Sequence, residues 1–110
     1  MMNESHYLKL ADTTFRTITD AFEHVDPDDV DVYSAGDVLT LAFRNGAKCV
    51  INTQRPTRQI WLAANARAWH FDYDEAGARW IDDKGRGDEL LARVQAIVKE
   101  NAGLDVAFKR

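Results

Sequence analysis

The seventeen-residue stretch VLTLAFRNGAKCVINTQ, residues 38–54, decides the fold. Leu39, Leu41 and Phe43 share one parity, and Thr40, Ala42 and Arg44 take the other. Strands place alternate side chains on opposite faces, so this run reads as a half-buried strand. Asn45-Gly46 follows, the residue pair that best accepts the positive φ angles of a two-residue hairpin turn. KCVINTQ (48–54) then runs back, with Ile51 on the inward parity and Asn52 and Gln54 on the outward one. The stretch is a β-hairpin with one apolar face.

The same alternation extends on both sides. VDVYS (30–34) leads into the hairpin through Ala35-Gly36-Asp37, and QIWLAA (59–64), WHFDY (69–73) and ARWID (78–82) follow it. Pro56 and the run DEAG sit in the intervening turns. Strands this closely spaced predict an antiparallel meander. Ile60, Leu62, Trp69, Phe71 and Tyr73 fall on the inward parity; Gln59, Trp61, His70 and Asp72 fall on the outward one. Trp61 is therefore a large aromatic on the polar side, among Arg44, Asn52, Gln54, Gln59 and His70. Two readings stand for it, a partly shielded surface indole and an interface anchor of the kind that dominates binding energy.

Helical patterns flank the meander. Asn3 or Ser5 is a candidate cap, and Glu4 suits the positive end of a helix. Leu8, Ala11, Phe15, Ile18, Phe22 and Val25 then recur at three- and four-residue steps, which predicts an amphipathic helix over about residues 4–24. Pro27 and the aspartates around it end that helix. Near the other end, Asp88 is the candidate N-cap for a helix striped by Leu90, Leu91, Val94, Ile97 and Val98, with Gly103 as its stop. LDVAF beyond it forms a last short strand or an extended tail. Two one-sided helices and one meander predict an α+β two-layer sandwich. Both helices pack on one face of the antiparallel sheet, and the other face is left to water. At 110 residues the chain fits one domain, 1–110.

Composition narrows the function. No run approaches the roughly 18 apolar residues of a membrane span. The N-terminal MMNESHYLKLADTT has no basic segment followed by an apolar one, so a bacterial cytoplasm is the expected location. Residues 1–31 hold eight acids against Lys9 and Arg16, a balance of −6, while residues 32–110 balance at +2. A nucleic-acid partner is not expected, because phosphates call for a basic face. A cation or a basic protein surface fits instead. Cys49 is the sole cysteine and lies in a strand-like run, which suits a small buried hydrophobe. No phosphate loop, nucleophile elbow or CxxC occurs, so no catalytic residues are assigned.

The negative charge concentrates in DAFEHVDPDDVDV (20–32), with Asp20, Glu23, Asp26, Asp28, Asp29 and Asp31 and no lysine or arginine. Aspartates around a proline are ordinary turn formers. Asp20 and Glu23 are not explained that way. Near a helix C-terminus an anion is disfavoured by about 0.3–1 kcal/mol. Two exposed carboxylates roughly 6 Å apart add about 0.7 kcal/mol of repulsion. Arg16, four residues before Asp20, is the evident compensation. Clustered carboxylates suit hard cations. The run is no EF-hand, since DPDDVD lacks glycine at its sixth position and Asp37 stands at the twelfth. His24 lies inside the run, but His6 and His70 have no ligand spacing to it. An open cluster of this kind binds metal weakly, as a metal-responsive docking surface.

INTQRPTRQIWLAA (51–64) resembles the signature of the frataxin family, in which an Asn-x-Gln pair precedes a proline turn and a Gln-hydrophobic-Trp-Leu strand. WHFDY, Trp80 and the acidic first helix and strand match in order, so the resemblance spans nearly the whole chain. The short form resembles the bacterial homologues. The resemblance implies two helices on one sheet face, and weak Fe(II)/Fe(III) binding on an acidic ridge. It also implies a regulatory role in iron–sulfur cluster assembly through the cysteine desulfurase and its scaffold. Carried over by position, the metal ridge is Asp20, Glu23, Asp26, Asp28, Asp29 and Asp31, with Asp12 and Glu4 outlying and His24 inside it. The partner contacts are Asn52, Gln54, Gln59, Trp61 and His70. Family members often place more acids in the first helix; here Lys9, Arg16 and Thr19 interrupt it, which favours the 20–31 end. The expectation is a non-enzymatic, monomeric iron-binding regulator, with iron oxidation and storage by iron-dependent oligomers as the alternative. Other hard cations would substitute for iron.

Overall fold

A computed structural model describes residues 2–109. The elements run α1 (Glu4–Asp20), β1 (Val30–Ala35), β2 (Val38–Phe43), β3 (Lys48–Gln54), a 3-10 turn (Arg55–Thr57), β4 (Gln59–Ala64), β5 (Arg67–Asp74), β6 (Arg79–Asp82) and α2 (Leu90–Ala102). The six strands form one antiparallel sheet in the order β1-β2-β3-β4-β5-β6. Leu39 pairs with Ile51, Ile51 with Leu62 and Leu62 with Trp69. All four are buried, together with Tyr7, Ala11, Ile18, Val94, Ile97 and Val98 of the helices. The predicted α+β sandwich holds: both helices sit on the inward parity and seal one core.

α1 starts where the sequence predicts. The Asn3 side chain accepts the His6 amide at 2.8 Å. It ends at Asp20, four residues short of expectation. Beyond it, Ala21, Phe22 and Glu23 donate three residues back, to Ile18, Thr19 and Asp20, so the chain tightens into turns. The apolar stripe misled because Phe22 and Val25 keep packing on the core after the helix has stopped. Tyr7, outside the predicted stripe, is fully buried, while Leu8 and Phe15 are only partly covered. The face that meets the sheet is thus rotated toward positions 7, 11, 18 and 22.

The cap of α2 is Glu89 rather than Asp88. Its carboxylate accepts the amides of Leu91 (2.9 Å) and Ala92 (3.1 Å). Asp88 is engaged elsewhere, by the Trp69 indole at 3.0 Å and the Arg93 guanidinium at 2.6 Å. Gly103 stops α2 as expected, with a φ of 69° that glycine adopts without a Cβ clash. Residues 104–108 take the extended-tail form. Leu104, Val106 and Phe108 pack partly on the core, and the Gln95 side chain holds the Val106 carbonyl at 2.9 Å. Among the described residues no helix is long and apolar enough to cross a membrane.

Candidate functional site

The acidic corner lies where α1 ends and β1 begins. Asp20, Glu23 and His24 line one groove of about 290 Å³, together with Thr17, Ala21, Ala107 and Lys109. Asp31 stands opposite Ala42 on the solvent-facing parity of β1. The remaining acids are partly committed. Asp26 accepts the Asp28 amide at 2.9 Å, and its carbonyl takes the amides of Asp29 and Val30, which makes it the hub of the turn into β1. Asp29 accepts the Arg44 guanidinium at 2.8 and 3.1 Å. Arg16 does not compensate Asp20; it pairs with Asp12 at 2.9 Å, one turn earlier. The outlying Glu4 lies 3.9 Å from Arg55.

The ridge therefore divides into two kinds of carboxylate. Among the described residues, Asp20, Glu23, Asp28 and Asp31 enter no ion pair, and all four are exposed. No three or more His, Cys, Asp or Glu side chains of the described residues converge as a preformed metal cage. Spread, water-facing oxygen donors of this kind suit a hard cation that keeps most of its water shell. Asp29 and Asp26 are held by Arg44 and by the turn.

The open sheet face is more tightly organised. Trp61 lies between Asn52 on β3 and His70 on β5. It stacks on His70 with ring centroids 4.1 Å apart and planes 17° apart. The indole Nε1–H donates to Gln59 Oε1 at 2.9 Å. Gln59 Nε2 donates in turn to Asp72 Oδ1 at 3.0 Å and Asp83 Oδ2 at 2.9 Å. His70 Nδ1 lies 3.8 Å from the same Asp83 oxygen. Trp61, His70, Asn52 and Gln54 are half-buried on this face, as the alternation predicts. Gln59 is not an open contact: it is buried, at 9% exposure, because its amide is sealed among these partners.

Three features escaped the sequence. Tyr33 is 45% exposed, and it begins an uncharged row, Tyr33, Thr40, Val50, Ala63 and Ala68, that crosses five strands in register beside Trp61. The outward parity of Tyr33 was its only signal. Asp83 carried none, since 24 residues separate it from Gln59. The third is the guanidinium cluster on Trp69: Arg67, Arg93 and Arg86 lie 4.6, 5.2 and 5.9 Å from its ring centre. Arg86 also forks onto Asp82 at 2.7 and 2.9 Å, which pins the loop between β6 and α2. Cys49 is fully buried on the helix-facing parity, and desolvation pushes its thiol up to about 12.

Fold and site together define a small α+β module with a carboxylate ridge at the α1–β1 corner and an open sheet face that carries the Trp61–His70 stack. A frataxin-like domain model matches residues 1–104. The chain belongs to the frataxin family. A relative from Azotobacter vinelandii, named iron-sulfur cluster assembly protein CyaY, is 45% identical over 97% of this chain and 96% of its own. A protein of the same name from Pseudomonas aeruginosa is 40% identical over 97% of each chain. Among solved structures, frataxin from Psychromonas ingrahamii superposes with a TM-score of 0.88 at 37% identity, covering 99% of this chain and 100% of that one. A trimeric frataxin from Saccharomyces cerevisiae, in a ferrous complex, gives 0.63 at 25% identity, covering 94% and 89%.

Proposed function

We propose that this chain is a non-enzymatic accessory protein of iron–sulfur cluster assembly in the bacterial cytoplasm. It binds Fe(II) or Fe(III) weakly on the ridge and docks on the cysteine desulfurase and its scaffold. The carrying observation is that Asp20, Glu23, Asp28 and Asp31 are exposed and outside any ion pair among the described residues, with Asp31 on the same open parity of the sheet as Trp61. The names of the relatives support the pathway. Free carboxylates attract a basic partner surface, and a bound cation cancels part of that charge, so iron occupancy tunes docking.

The test is a desulfurase assay with and without this protein and iron, on wild type and on a D20K/E23K/D26K variant. The expected result is an iron-dependent change in desulfurase rate that the variant loses. Equal behaviour of the two proteins overturns the docking role of the ridge. The alternative, iron oxidation and storage through oligomers, has support in the trimeric yeast relative in its ferrous complex. Oxygen consumption under Fe(II) above that of buffer, accompanied by larger assemblies, would favour it.

A further inference from the structure

We propose that Gln59 and Asp83 are positioning residues that hold the Trp61–His70 stack in one fixed orientation on the open sheet face, as a preformed platform. The inference rests on the docking reading above and deepens it. A tryptophan on an open sheet face has no core around it to choose its rotamer. Here three contacts do so: the stack on His70, the hydrogen bond to Gln59, and the bonds that orient Gln59 itself.

The orientation of the Gln59 amide follows from its neighbours. Carboxylates only accept, so the side facing Asp72 and Asp83 must be the NH₂ group. The carbonyl oxygen is left facing the indole N–H, its required partner. Asp83 is the outermost member. It follows β6 in the chain, yet its backbone amide donates to the His70 carbonyl at 2.8 Å and its side chain reaches Gln59 at 2.9 Å. The turn after β6 thus clamps both members of the stack. This network lies on the solvent side, whereas Ile60 and Leu62 on the other parity of β4 already secure the core. Its effect falls on the aromatic surface. A side chain already held in its bound rotamer loses less entropy on docking.

The test uses the intact protein and the Trp61 indole N–H signal in its ¹⁵N NMR spectrum, assigned by its loss in Trp61→Ala. Asp83→Ala should shift that signal and speed its hydrogen exchange. Asp83→Asn, which keeps an acceptor for Gln59, should leave it near the wild-type position. Docking on the desulfurase should weaken about three- to tenfold in Asp83→Ala, and Asp83→Ala should add nothing on a Trp61→Ala background. Gln59→Met removes the same bonds at similar volume and should reproduce the indole shift if Asp83→Ala fails to fold. An unmoved indole signal in the folded variant overturns the proposal, as does additivity of the Asp83 and Trp61 losses. If Trp61→Ala docks like wild type, the docking reading itself fails, and the indole signal of the free protein still decides the positioning role.

Discussion

The Tyr7 hydroxyl donates a 2.6 Å hydrogen bond to the backbone carbonyl of Gln59. It joins the helix that leads to the acidic ridge to the residue whose side chain holds Trp61. Burial raises the phenol's affinity for its proton, so it stays a donor well into alkaline pH. Tyr7→Phe keeps the ring, with its edge contact to Trp80, and removes only this bond. It should cost about 1 kcal/mol in urea unfolding with an unchanged slope. A loss below about 0.3 kcal/mol would mean the bond is not a net contributor.

The two tryptophans at positions 61 and 80 should separate in a stability measurement. Trp80 is 3% exposed, donates to Thr14 at 3.0 Å and meets Tyr7 and Tyr73 edge-on. Trp80→Ala should cost about 3–5 kcal/mol. Trp61→Ala, on the open face, should cost at most about 1.5 kcal/mol and act mainly on docking. Equal losses in thermal or urea unfolding would place Trp61 in the core.

The β4–β5 turn carries avoidable strain. Asn65 and Ala66 have φ angles of 53° and 61°, the left-handed region where a Cβ crowds the backbone. Asparagine tolerates it; alanine does so poorly. Ala66→Gly should therefore stabilise the protein by about 1 kcal/mol, despite the greater freedom of glycine in the unfolded chain. A destabilised variant in the same assay would show that the entropy term wins.

Acid should loosen the loop between β6 and α2 first. Hydrogen bonds from the Arg86 guanidinium hold the Asp82 carboxyl below its ordinary value of 3.8, and those from Arg93, then Trp69, do the same for Asp88. Groups with depressed folded values contribute stability that is complete above the unfolded value. That stability is lost as pH falls through the folded value. Stability should thus be level above about pH 5 and decline below about pH 4. An Asp82→Asn/Asp88→Asn protein should be less stable at neutral pH and show a shallower acid decline by circular dichroism. Parallel curves would remove these two carboxylates from the acid response.

Cys49 should be inert in the native state. Its thiol is raised from 9.0 to about 12, so thiolate at a given pH is about a thousandfold scarcer than for an open thiol. It also sits at 0% exposure. Labelling by a thiol reagent at pH 8 should follow the unfolded fraction across a urea series. Rapid labelling without denaturant would mean β3 opens locally.

Particular residues show which features were legible. The hairpin 38–54 was, because alternation and the Asn45-Gly46 turn are local properties. The end of α1 was not, because Phe22 and Val25 serve the core from turns as well as from a helix. The choice of Glu89 over Asp88 as cap was not, because Trp69 and Arg93 compete for Asp88 from other elements. The ridge could be counted residue by residue. Its division into free and paired acids depended on Arg44 reaching back fifteen positions to Asp29.

The sequence by itself determined the two helices, the meander, the side of the sheet each residue faces, and the local excess of acids. All of these follow from periodicity and composition, which act over a few residues. Tertiary structure decided that Arg44 pairs with Asp29, that Gln59 is buried, and that Asp83 reaches both Gln59 and His70. Those outcomes depend on partners brought together only by strand register and loop closure. For Gln59, a polar side chain leaving water takes the partners nearest in space, whatever their distance along the chain.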